Sequence, residues 1–544
     1  MKTAEGDLKK LPDGWELIEG RPMQTRISTY PPIIIGKDPY SNNLLASYGQ
    51  TYLMLAAPPG SGKDVGIVTP NLLVYPHSIV INDVKFESWH LTAGFRAACG
   101  QKISRFSPGT LETHYWNPFR MLNLDPLFRL GQLREMAGSL YVPDNEKNAS
   151  WFNQAANVFV ALCLYVIESE GEYMLTLPQI NEFASLGVQL GSWAQKVIDE
   201  RDQQGRPLSD ETRRELTTIV SSSKGREFST LMDFVTNRLK IYGEKTVALA
   251  LTESKNPAHN IDFSKMRETP TTVYFCVTES EMKKFAPLMN LFYSQAIRAN
   301  SKVIPEHGGH CEDGSLKLKY QVLFLMNEFA IMKRMEVMET APALTRGAGL
   351  RYAIIFQSEN QLKANDCYGE AGGAALLSTF HVNVVFAPAP TDEAMAKAYS
   401  VRLGNKTVKV PSDNNQVSDG QRRSRGRSFT LQPRPLLHPQ EISELPYKEE
   451  LIFIQATDKN PAAKIRARKI MWYKEKLLKK RTDKKKYPVP SVPVGDAERL
   501  KEILKPVRIP KTVVTLARPQ GDDIRLEEKR RIKADVPDIT DSNN

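Results

Sequence analysis

Six short runs dominate the chain, each apolar and rich in β-branched or aromatic residues, each followed by a turn and then by helical patterning. They read TYLMLAA from Thr51, HSIVIND from His77, TTVYFCV from Thr271, QVLFLMN from Gln321, RYAIIFQ from Arg351 and HVNVVFA from His381. Strands that are apolar on both faces belong to a parallel sheet covered on both sides by helices, so the expected class is α/β. Between about 126 and 258 the strand signal disappears. Helical patterning takes over in 151–167, 177–194 and 226–242, which predicts an all-α insertion within the α/β unit.

With 41% apolar residues among 544, most of the chain can bury a core and two or three domains are expected. Lysine and arginine outnumber acids 73 to 62, a formal charge of +11 that suits nucleic acid or an anionic membrane surface. The five cysteines are scattered and lack CxxC spacing, so neither a disulfide framework nor a zinc site is indicated, and a reducing cytosol is the default. The longest nearly unbroken apolar run, 155–167, is too short for a hydrocarbon core of about 30 Å. The N-terminal MKTAEGDLKKLPDG has no apolar h-region, so no secretory signal is expected. A membrane anchor, if one belongs to the protein, is expected outside this chain.

Directly after the first strand comes Ala57-Pro58-Pro59-Gly60-Ser61-Gly62-Lys63-Asp64 and then a helix-compatible stretch. This is a near match to the phosphate-binding pattern in which small residues let backbone N–H groups wrap phosphate oxygens and a lysine reaches the β and γ phosphates. Gly60, Ser61, Gly62, Lys63 and Asp64 are the nucleotide-binding candidates, with ATP and Mg²⁺ as the implied ligands. Two positions depart from the pattern. Ala57 replaces the first glycine, and Asp64 stands where a serine or threonine hydroxyl would meet Mg²⁺.

The second half of such a site is an apolar strand ending in acids, and 322–326 ends in Asn327-Glu328. Glu328 is placed to polarise the attacking water, while Asn327 stands where an aspartate would order the metal's shell. A carboxylate thus arrives at Asp64 where one is missing at Asn327. Either Asp64 takes over the anionic role, making Asp64 and Asn327 the metal-side pair, or Asp64 repels the triphosphate and the site is slow or dead.

The combination APPGSGKDVGIVTPNLL (57–73), INDVKFESWHLTAGFR (81–96), WNPF (116–119), VLFLMNEFAIMKRM (322–335) and GLRYAIIFQSENQLK (349–363) resembles the type IV coupling proteins, the TraG/TraD family of conjugation and type IV secretion ATPases. The resemblance implies a RecA-like P-loop NTPase domain with a mainly parallel sheet, 46–125 and 259–475, and an inserted all-α domain, 126–258. An N-terminal apron, 1–45, and a basic, disordered tail, 476–544, complete the expected layout. It also implies a homohexamer at the cytoplasmic face of the bacterial inner membrane that pumps DNA with a relaxase or other protein cargo to secretion channel components. The alternative is a nucleotide-binding but non-hydrolysing receptor or scaffold.

By position in that family, Gln357 looks like the glutamine that senses the γ-phosphate, and Arg346 like the finger that reaches a neighbour's nucleotide, with Arg351 as runner-up. Asp83, Lys85 and Glu87 match a D-x-K-G-E stretch in which Phe86 stands for the glycine. DNA contact without sequence preference falls to Arg422, Arg423, Arg425 and Arg427 in a polar loop expected to be mobile, and to the lysines around 479–486, which equally suit anionic lipid.

Overall fold

A computed structural model describes residues 31–143, 145–416, 424–456, 462–496 and 498–510, together with two short strands before them. Those two, β1 (Trp15–Ile18) and β2 (Arg21–Gln24), pair only with each other. The remaining strands are β3 (Ile33–Lys37), β4 (Leu44–Ser47), β5 (Leu53–Ala56), β6 (Ser78–Val84), β7 (Lys102–Phe106), β8 (Thr271–Val277), β9 (Val322–Met326), β10 (Leu350–Phe356), β11 (Val382–Val385), β12 (Asn405–Gln416), β13 (Ser424–Pro435), β14 (Glu449–Ile454) and β15 (Ala463–Arg468).

Eleven of them form one sheet in the order β4-β3-β15-β14-β11-β5-β10-β9-β6-β8-β7. From β11 to β7 every neighbouring pair is parallel, while β14, β15, β3 and β4 add an antiparallel edge. All six apolar runs are strands of the parallel part. In the antiparallel edge, the apolar runs 33–35 and 450–455 become β3 and β14, while β15 escapes sequence patterning because AKIRAR alternates apolar and charged residues, as a strand covered on one face does.

Alternate residues of the central strands feed two separate cores. Leu53, Leu55, Ile79, Ile81, Leu323 and Leu325 pack with Ile67, Leu72 and Trp89, from the phosphate-loop region, α1 (Thr69–Val74) and α2 (Glu87–Ala98). Met54, Val80, Phe324, Met326 and Ile354 face the other way, into the core that continues through the helical region. That region carries α3 (Arg129–Leu140), α4 (Ala149–Ile167), α5 (Leu177–Ala184), α6 (Leu190–Gln203), α7 (Asp210–Ser222), α8 (Phe228–Leu239) and α9 (Lys245–Ala250), and then, after β8, α10 (Met282–Ser301) covers the sheet. The helical stretch 177–194 is two helices, broken at Gly187, whose φ of 55° suits glycine.

The segment Glu146–Ile167 is, among the described residues, one helix long and apolar enough to cross a bilayer by length and composition, because the apolar run continues N-terminally as helix. Yet 61% of its apolar window is buried inside the fold, which makes it the hub of the helical layer.

Two expectations need correction. The polar stretch after Val410 is largely a long antiparallel ribbon, β12 against β13, with Lys409 opposite Leu431 and Asp413 opposite Arg427. Two strands can satisfy each other's backbone with no apolar face, so the pattern reads as loop. The segment 476–510 is ordered as well. After the helix Lys476–Arg481 it runs as a strap in which Tyr487 packs on Phe95, Thr113 donates to the Pro493 carbonyl and Gly495 donates to the Leu111 carbonyl. It ends on the helical layer, where Gln179 bonds both ways with the Lys505 backbone and the Tyr173 hydroxyl accepts from Arg508 N. Residues 511–544 lie outside the described residues.

Candidate nucleotide site

The phosphate loop leaves β5 and turns through two left-handed glycines, Gly60 at φ 72° and Gly62 at φ 89°. Only glycine takes such angles without a steric cost, so these two positions set the loop's shape. Ser61 closes the turn, its hydroxyl donating to the Pro58 carbonyl at 2.5 Å. Lys63 follows, and Asp64–Val68 form a π-helical turn that runs into α1.

Three strand ends converge on Lys63. Its ammonium forms an ion pair with Glu328, which follows β9, and the other Glu328 oxygen accepts from Gln357 Nε2 at 3.3 Å, at the end of β10. Burial pulls the Lys63 ammonium below the ordinary lysine range, and neighbouring Asp64 partly opposes this. Glu328 sits in the left-handed region at φ 52°, a conformation that costs a non-glycine residue about 1–2 kcal/mol and here turns the carboxylate onto the loop.

The two unusual residues touch each other. Asn327 Nδ2 donates to Asp64 Oδ1 at 2.8 Å, while the Asn327 side-chain oxygen accepts from Glu328 N at 3.1 Å. Burial raises the Asp64 carboxyl above the usual range, and Lys63 and the Asn327 bond pull it back. Asn327 is itself held by a residue the sequence reading missed. Asn82, two residues before the carboxyl end of β6, accepts from Asn327 N at 2.7 Å and donates to its carbonyl, and the Tyr293 hydroxyl of α10 donates to Asn82 at 3.2 Å. Its signal was a polar residue directly after the apolar run Ile79 to Ile81.

Mg²⁺ keeps several waters and binds through one or two carboxylates plus substrate phosphates. Among the described residues no cluster of three or more His, Cys, Asp or Glu side chains is placed to hold a metal ion. Asp64 and Glu328 offer hard oxygens beside the loop. Asn327, assigned to the metal side from sequence, turns its N–H toward Asp64 and acts there as the carboxylate's anchor.

Asp83 caps α2, accepting from Ser88 N at 3.1 Å and Trp89 N at 2.7 Å. Burial carries it up to about 7 against those two bonds, with Asp64 and Glu87 adding to the rise. Phe86 takes φ 62°, so the family's glycine position keeps a glycine-type backbone with a phenyl ring on it. Lys85 meets Glu279 at 3.0 Å on the surface, and Glu87 is exposed.

Arg346 does not join the site. It precedes β10, bonds His381 Nε2 at 2.9 Å and lies over the Tyr52 ring, all at the amino ends of the strands. Arg351 is fully buried and donates to the Pro31 carbonyl at 2.6 Å, which removes it as a finger. Arg422 and Arg423 lie outside the described residues, and Arg425 and Arg427 fall on β13, opposite Asn415 and Asp413.

A parallel sheet with helices on both faces and a glycine-rich loop and lysine at the carboxyl ends of its strands defines a RecA-like P-loop protein carrying an additional helical domain. Residues 16–494 match the family described as type IV secretory system conjugative DNA transfer, and the chain belongs to that family of coupling proteins. It is 28% identical over 443 residues to the protein VirD4 of Rhizobium rhizogenes, covering 80% of this chain and 61% of the relative. It is 26% identical over 417 residues to the conjugal transfer protein TraG of Escherichia coli, covering 73% and 62%. The matches thus span about three fifths of these curated relatives. Among solved structures, the bacterial conjugative coupling protein TrwBdeltaN70 matches with a TM-score of 0.55 at 17% identity, over 77% of this chain and 84% of that one. The plasmid coupling protein TrwB in complex with the ATP analogue ADPNP matches with a TM-score of 0.55 at 16% identity, over 78% and 86%.

Proposed function

We propose that this chain binds ATP with Mg²⁺ at the Lys63 loop and is the motor part of a coupling ATPase. As a homohexamer at the cytoplasmic face of the inner membrane, it would drive DNA and its attached protein cargo toward the secretion channel. The observation that carries this reading is the chain of contacts Lys63 to Glu328 to Gln357 across three adjacent strand ends. The complexes known for TrwB support it.

In this reading Lys63 leaves Glu328 for the β and γ phosphates. The freed Glu328 carboxylate accepts a proton from the attacking water, and Gln357 holds it in place through its amide. Mg²⁺, when bound, screens the phosphate charge, with Asp64 beside it and Asn327 fixing Asp64. Arg346 would serve a neighbouring subunit's nucleotide. The helical domain, 126–258, would receive cargo, and Arg422, Arg423, Arg425 and Arg427 would meet DNA phosphates without reading sequence.

One observation favours the scaffold reading instead. The metal side offers the half-buried Asp64, already held by an amide and raised by burial above the usual carboxylate range, where Mg²⁺ sites present an unencumbered oxygen. Mg²⁺-dependent ATP hydrolysis, measured with and without DNA beside a Lys63→Ala control, separates the two. Turnover that rises with DNA and disappears in the control is expected. Nucleotide binding without turnover, in a preparation shown to form rings, would establish the scaffold.

A further inference from the structure

The phosphate loop has two unlike flanks. Toward β10 and β9 stand Gln357 and Glu328, polar and paired. Toward β11, β14 and β15 stand Phe386 after β11, Tyr447 before β14 and Lys469 after β15, which reach the same end of the sheet because β14 runs antiparallel to β11 and β15 antiparallel to β14. The Lys469 ammonium donates to the Ser61 carbonyl at 3.1 Å and lies over the rings of Phe386, 3.8 Å from its centroid, and Tyr447, 4.9 Å away. Lys469 is only 5% exposed, whereas Tyr447 is 55% exposed. The Tyr447 hydroxyl stands 2.9 Å from where a β-carbon on Gly62 would be, so the ring abuts the loop itself.

An ammonium over an aromatic ring and a carbonyl beside the same ammonium tie ring and loop into one unit. The ammonium is taken up by the Ser61 carbonyl and the two rings and is buried, so the part of the unit left exposed is the Tyr447 side chain. What it offers is a fixed, half-open π surface at the rim past which the rest of a nucleotide has to leave the loop. The geometry points to Tyr447 as the platform on which the nucleobase stacks, with Lys469 as the positioning residue that holds the platform to the loop. This rests on the nucleotide-binding reading and names a ligand subsite within it. Stacking on an aromatic ring is tolerant of base identity, so adenine and guanine should use it alike.

The test is calorimetric titration of the purified chain with ATP, GTP and inorganic tripolyphosphate, each with Mg²⁺. Tyr447→Ala should weaken both nucleotides by about tenfold and tripolyphosphate by less than about twofold. Tyr447→Phe should bind all three like the wild type, since the ring and not the hydroxyl carries the stack. Tyr447→Leu fills the space without a π face and should repeat the selective loss, which guards against a folding artefact in the alanine variant. An equal loss for all three ligands would reduce Tyr447 to a support for the loop, and no loss would remove it altogether; either overturns the platform alone. A folded wild-type chain that binds none of the three ligands would overturn the nucleotide-binding reading and the platform with it.

Discussion

β10 is seven residues long, and its two ends do opposite things. At the carboxyl end Gln357 is drawn into the site by Glu328, while at the amino end Arg346 rests on His381 and Tyr52, roughly 20 Å away at the rise of a strand. One strand therefore carries a group that serves its own loop and a group that cannot. The difference teaches that Arg346 acts on another subunit's nucleotide or takes no part in the chemistry.

Breaking that comparison gives the largest expected effect. Arg346→Ala should lower ATP turnover by about a thousandfold and leave ATP affinity unchanged, because a finger acts on the transition state. Mixing Arg346→Ala with Lys63→Ala chains should restore part of the activity, since some interfaces then pair an intact loop with an intact arginine. No recovery on mixing would sever Arg346 from the neighbouring site.

A smaller effect is expected on the metal side. Asn327→Asp alone sets two carboxylates against each other and replaces the amide donor of Asp64, so turnover should fall by about tenfold at neutral pH. Adding Asp64→Ser should recover it. A rise in turnover with Asn327→Asp alone would end the idea that the two positions have exchanged roles.

The smallest effect concerns the aromatic flank. Burial holds the Lys469 ammonium down to about 8, against the pull of Glu450. Between that value and the ordinary lysine range the unfolded chain binds more protons than the folded one, so stability rises with pH there and is lost as pH falls toward 8. Relative to Lys469→Met, which lacks the titration, the wild type should gain a few degrees of Tm, roughly, from pH 8 to pH 10. Parallel melting curves across that range would expose a Lys469 that titrates normally.

What could be read in advance follows from how local each signal is. Continuous apolar strands mark a doubly covered parallel sheet wherever they occur, and Gly60, Gly62 and Lys63 lie within one turn of each other. Glu328 and Gln357 were legible as the last residues of such strands. Lys469 and Tyr447 were not, because their neighbour is a loop some four hundred residues earlier and no spacing links them to it. The β12–β13 ribbon was missed for a different reason, since its strands need only each other. Asn82 carries its role through the backbone of Asn327, a contact that leaves no pattern in either segment.

The strap from 483 to 510 grips largely through peptide groups, at Thr113, Gly495, Gln179 and Tyr173, and through its packing on Gly94. Pro488, Pro490 and Pro493 lie between its holds on Gly94 and Leu111, which keeps that stretch stiff along the sheet side. The holds at Lys505 and Arg508 then pin it to the helical layer. One thread thus stitches together surfaces built from distant parts of the chain, and a proteolytic cut between Gly495 and Lys505 would part the stitch while leaving both anchored ends in place.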